Sequence, residues 1–88
     1  MLDNRLAELV FKFREEFERM AGTPFNHYVP ISYRIQIVAG SNNFVKIQVF
    51  YSDCIHAKIY LPLAQSNELP RAVGVQINKS LGDVIEPF

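Results

Sequence analysis

The chain has 88 residues, 49% of them hydrophobic and 20% charged, which is enough for one core and too apolar for a disordered segment. Nine Lys and Arg balance nine Asp and Glu, so the formal net charge is zero and no broad field draws the chain toward nucleic acid or an anionic membrane. Cys54 stands alone, which excludes an intrachain disulfide and favours a reducing compartment.

The first stretch, MLDNRLAELVFKFREEFERM, carries acidic residues throughout and no unbroken apolar run, so it does not read as a signal peptide. No stretch approaches the length of a membrane span, and a cytoplasmic protein is expected. Leu2, Leu6, Leu9, Val10, Phe13, Phe17 and Met20 recur at spacings of three and four, which predicts one amphipathic helix with an apolar stripe. Arg5, Glu8, Lys12, Glu15, Glu16 and Arg19 fall on its wet face, and Phe11 flanks the stripe. Asp3 is the expected N-cap, and Gly22 followed by Pro24 is the expected stop.

Beyond Pro24 the period changes from 3.6 to two. Val29, Ile31, Tyr33, Ile35 and Ile37 alternate with polar residues and predict a first strand, with Pro30 suited to an edge or a bulge. Val45, Ile47, Val49 and Tyr51 mark a second strand, and a short turn through Ser52 and Asp53 follows. Ile55, Ala57, Ile59 and Leu61 mark a third, and Val73, Val75 and Ile77 a fourth. Short connections make neighbouring strands antiparallel, and one apolar helix face needs one apolar sheet face. The expected architecture is therefore α+β: one long N-terminal helix laid across a four-stranded antiparallel sheet, with residues 1–88 as one domain.

Residues that carry chemistry are sparse. Cys54 and His56 lie two apart on a strand and point side by side, with no third group to orient them as a nucleophile and base or as metal ligands; both read as surface residues. Glu15 and Glu16 read as solvating charges. No phosphate-binding Gly-rich loop or CxxC pair is present. The expectation is a protein that is not an enzyme and holds no cofactor and no metal. The unusual features are two apolar loops, Val38-Ala39-Gly40 and Leu61-Pro62-Leu63-Ala64. In a four-strand meander they fall at the same end of the sheet, side by side, as an exposed interaction surface would.

The segment QIVAG, Gln36 to Gly40, matches the Gln-x-Val-x-Gly motif of the cystatins, and QIVAGSNNFVKI resembles the corresponding hairpin of the stefins, the type-1 cystatins. The likeness spans essentially the whole chain. LAELVFKFREEFE falls where stefins carry their long helix, IHAKIYLPL resembles their third long strand and second loop, and GVQINKS with the final Phe88 resembles their last strand and aromatic end. The resemblance implies a cystatin-like fold and a reversible, noncovalent inhibitor of papain-like cysteine proteases. It implies a wedge made of Gln36, Ile37, Val38, Ala39 and Gly40 in the first loop and Leu61, Pro62, Leu63 and Ala64 in the second, with Ala64 standing where stefins usually carry proline. Stefins also contribute an N-terminal trunk bearing a glycine. Here no glycine precedes Gly22, so a chain without that trunk is expected, inhibiting more weakly than a full stefin. The expected partners are papain-like cysteine proteases, with no nucleic acid and no membrane, and the expected state is a monomer or a domain-swapped dimer hinged at Val38 to Gly40. The alternative is a non-inhibitory binding module on the same fold.

Overall fold

A computed structural model of the chain describes residues 2–88. The Asp3 carboxylate accepts the Leu6 amide at 2.8 Å and opens the helical segment. The segment closes in a Schellman motif, with Gly22 at φ 78° and the Gly22 and Thr23 amides donating to Arg19 and Glu18 carbonyls. The single long helix expected from the spacing is two shorter ones, α1 (Asn4–Lys12) and α2 (Arg14–Ala21), parted by Phe13 at φ −90°, ψ 7°. Apolar spacing cannot register one relaxed residue, because hydrogen bonding and the stripe both run through it. Phe13 donates to Leu9 at 2.9 Å and accepts from Phe17 at 3.0 Å. Leu6, Val10, Phe13 and Phe17 are buried, whereas Met20, at the end of the stripe, is exposed.

The four strands, β1 (Val29–Val38), β2 (Gly40–Phe50), β3 (Asp53–Leu61) and β4 (Arg71–Ser80), form one antiparallel sheet in the order β1-β2-β3-β4. The helix covers one face. Val45, Ile47, Ile55, Ala57 and Ile59 from the two central strands meet it in the core. Tyr28 donates from its hydroxyl to the Val10 carbonyl at 2.6 Å, and Glu18 accepts the Phe25 amide at 2.7 Å, so the connection into β1 is tied back to the helix.

The outer strands depart from strict alternation. A bulge between Pro30 and Ser32 leaves Val29 and Ile31 exposed, and among the apolar residues expected to face inward Tyr33 is the one that packs on the core. Two further bulges in the β3–β4 pairing leave Val73 and Ile77 unpaired and exposed, Ile77 beside Ile55 on the helix side, while Ala72 and Val75 pack on the core. Each bulge adds one residue, and one residue reverses which face a side chain occupies.

The opposite face is not open to water as a one-sided sheet would be. Residues 81–88 return across it, held by cations on three strands. Arg34 donates to the Ile85 carbonyl at 2.9 Å, Lys46 to the Leu81 carbonyl at 2.6 Å and to that of Asp83, and Lys58 to the Phe88 backbone oxygen at 2.6 Å. The Phe88 ring lies 5.3 Å from that of Phe44, which is fully buried. Cys54 and His56, expected at the surface, are buried on this face. Burial pushes the Cys54 thiol pKa up. Burial pushes the His56 imidazole down, and Lys46 and Lys79 push the same way.

Candidate functional site

One residue, Ala39, separates β1 from β2. Val38 pairs with Gly40 across the tip, the ladder continues through Ile37 with Ser41, and Ser41 pairs in turn with Leu61 at the end of β3. The tip and the second loop therefore start side by side from adjacent strands, at one end of the sheet.

Gly40 has φ +97°, a conformation a side chain resists, and its surroundings forbid one. A Cβ there would lie 3.0 Å from the Tyr60 hydroxyl and 3.1 Å from Pro62 Cα, and would overlap the Leu61 carbonyl oxygen. The first tip is thus seated directly on the base of the second loop. Gln36 turns to the opposite face from Ile35 and Ile37, where its side-chain oxygen accepts from Asn42 at 3.1 Å.

The anticipated residues separate into a base and a rim. Pro62 is buried and Leu61 partly packed on the core, so these two form the seat under Gly40. Leu63 and Ala64 are exposed on the second loop, and Val38 and Ala39 on the first. Ile37, read as an inward residue, is 79% exposed because the helix does not cover this corner of β1. Leu69, in the connection of residues 62–70, is 78% exposed at the same end; flanked by Glu68 and Pro70, it broke no pattern and gave no periodic signal. Tyr60 and Arg71, also unremarked by periodicity, shape the tip: the Tyr60 hydroxyl donates to the Ala39 carbonyl at 2.7 Å, and the Arg71 guanidinium lies 5.0 Å from the Tyr60 ring centre.

What these residues offer is a compact apolar protrusion with few polar groups. Among the described residues no three His, Cys, Asp or Glu side chains gather where a metal ion would sit, and no helix is long and apolar enough to cross a membrane. A cavity of about 270 Å³ lies at the far end of the sheet, between the Thr23–Asn26 connection and the β2–β3 turn at Phe50 and Asp53.

A helical segment packed on a four-stranded antiparallel meander, with a Gln-x-Val-x-Gly tip abutting a second apolar loop, defines a cystatin-like fold. The chain is 30% identical to Cystatin-B of Mus musculus over 81 residues, 92% of this chain and 83% of that protein. It is 30% identical to Cystatin-B of Oplegnathus fasciatus over 86 residues, 98% and 86% of the two chains. It is 24% identical to Leukocyte cysteine proteinase inhibitor 1 of Sus scrofa over 83 residues, 94% and 81%. No family model matches the chain. On these relatives the chain belongs to the cystatin family, in its type-1 or stefin branch.

Proposed function

We propose that this protein is a reversible, noncovalent inhibitor of papain-like cysteine proteases that acts inside the cell, and that it blocks the active-site cleft by inserting its two apolar loops. The observation that carries this reading is the interlock at Gly40, which joins the first tip and the second loop into one thin projection with apolar side chains outward. A relative whose name describes inhibition of cysteine proteinases supports it.

A substrate cleft is narrow and partly dry. A projection that enters must be slim at its leading edge, which Gly40 and Ala39 provide. It must also gain from leaving water, at about 25 cal/mol per Å² of apolar surface. Ile37, Val38 and Leu63 supply that surface. Because the hairpin is already ordered, little entropy is lost on insertion, and contact area converts into affinity better than for a flexible peptide. A tip that lies across the cleft presents no peptide bond in line for attack, so the inhibitor is not consumed. Gln36 supports the tip from the other face through Asn42. We read the working form as a monomer or as a dimer swapped through Val38 to Gly40, two states that size-exclusion chromatography separates.

Titration of papain with the wild type, Val38→Asp and Leu63→Asp tests the reading. Both positions are exposed, so the variants fold. The wild type is expected to inhibit reversibly, and each aspartate, desolvated in the cleft, to weaken inhibition by about 100-fold, or about 2.7 kcal/mol. Absence of inhibition at micromolar wild-type protein contradicts it and favours a cystatin fold serving as a non-inhibitory binding module.

A further inference from the structure

At the loop end of the face opposite the helix, one row of side chains crosses all four strands. Gln36 of β1 pairs with Asn42 of β2, Asn42 with Tyr60 of β3, and Tyr60 with Arg71 of β4. The row is linked by contacts of different kinds. Asn42 donates to Gln36 at 3.1 Å, and Arg71 sits over the Tyr60 ring at 5.0 Å. The Tyr60 hydroxyl then reaches beyond the row to the carbonyl of Ala39, the one residue between the strands at the tip, at 2.7 Å.

We propose that Tyr60 is a positioning residue for the inhibitory tip: its hydroxyl, aimed by Arg71, fixes the Ala39 peptide and locks the first loop onto the strand that leads into the second. The proposal rests on the inhibitory reading for its effect on affinity, but not for its effect on the free protein. Two features make the tip dependent on this contact. Val38 and Ala39 are exposed, so core packing does not hold them. Gly40 has no side chain and a wide choice of backbone angles, so it confers freedom on the tip as well as allowing the close seat on Leu61. A hydrogen bond to the Ala39 carbonyl removes that freedom before binding, and rigidifying a loop in its bound shape strengthens association by lowering the ordering cost. Such a gain is felt chiefly in the dissociation rate. Arg71 restricts the ring from its face, a cation–π contact that leaves the hydroxyl free to point at the tip.

The test removes one oxygen. Tyr60→Phe keeps the ring and its contact with Arg71, so the fold is retained. In the free protein, amide exchange at residues 39–41 is expected to quicken about five-fold while the melting temperature and exchange in β2 and β3 interiors stay at wild-type values. Against papain, dissociation is expected to quicken about five-fold with association unchanged, equal to about 1 kcal/mol at 1.4 kcal/mol per factor of ten. Arg71→Ala is expected to shift both readouts the same way by a smaller factor, and to add nothing in the Tyr60→Phe background, because its effect passes through the hydroxyl. Wild-type exchange at the tip in Tyr60→Phe, or additive effects of the two substitutions, overturns the proposal. If the wild-type protein fails to inhibit papain, the inhibitory reading falls, and the exchange comparison still decides the role of Tyr60.

Discussion

The two faces of the sheet are covered by different means. The helix face is closed by interdigitated hydrocarbon: Leu6, Val10 and Phe17 meet Val45, Ile47 and Ile59, all essentially without solvent exposure. The other face is closed by a polypeptide strap whose carbonyls are gripped by Arg34, Lys46 and Lys58 over a small buried set of Phe44, Cys54 and His56. Hydrophobic packing is non-directional and dense, whereas the strap depends on a few directed bonds from charged groups. Together they cover the sheet from both sides, and the loops project from its end.

Phe17→Ala empties the centre of the helix face and should cost about 3–5 kcal/mol of unfolding free energy, read from urea melts. On the strap face, Lys46→Met leaves the Leu81 and Asp83 carbonyls without their donor. It should cost about 1–3 kcal/mol, with faster amide exchange confined to residues 81–88. A loss equal to that of Phe17→Ala would mean that the strap is as much a part of the core as the helix.

Acidity should distinguish the faces more gently. His56 is fully buried, and neither ring nitrogen has a hydrogen-bond partner among the described residues. Its pKa is lowered from the ordinary 6.5, first by burial and then by Lys46 and Lys79, with the nearby Asp83 carboxylate opposing. The unfolded chain therefore takes up a proton more readily than the folded one. The stability held by the neutral ring is complete above about pH 6.5 and is lost as pH falls from there toward the lowered folded value. Replacement by leucine, which needs no partner and cannot charge, should flatten this part of the profile. The wild-type melting temperature is expected to fall by several degrees more than that of His56→Leu between pH 7.5 and 5.5. Parallel profiles would show that His56 is not the group responsible. The Asp83 carboxyl, held low by the Ser80 amide, acts only in a more acid range.

The helix face was legible in the sequence because it is periodic. Leu6, Val10, Phe13 and Phe17, like Val45 with Ile47 and Ile55 with Ala57 and Ile59, keep the spacing of their elements without interruption. Ile31, Val73 and Ile77 read as covered by alternation yet sit exposed at bulges, and nothing in the composition of those stretches marks a bulge. The strap was illegible for a different reason. LGDVIEPF has no period, and its attachment is through backbone carbonyls, which every residue possesses. Hence Cys54 and His56 read as surface groups although they lie beneath it. At the loop end the tip Val38-Ala39-Gly40 stood out by composition alone. The reach of Tyr60 to Ala39 depends on register between β2 and β3, which sequence spacing does not fix.

The two loop ends are expected to act as one plug. Comparing amide exchange of the protein alone and bound to papain whose catalytic cysteine has been S-methylated tests it most directly. Slowed exchange at residues 36–41 and 61–65 together, with the helix and residues 81–88 unchanged, is the expected result. Protection at only one loop, or at the far end around residues 22–26 and 50–53 with the tip unaffected, contradicts it.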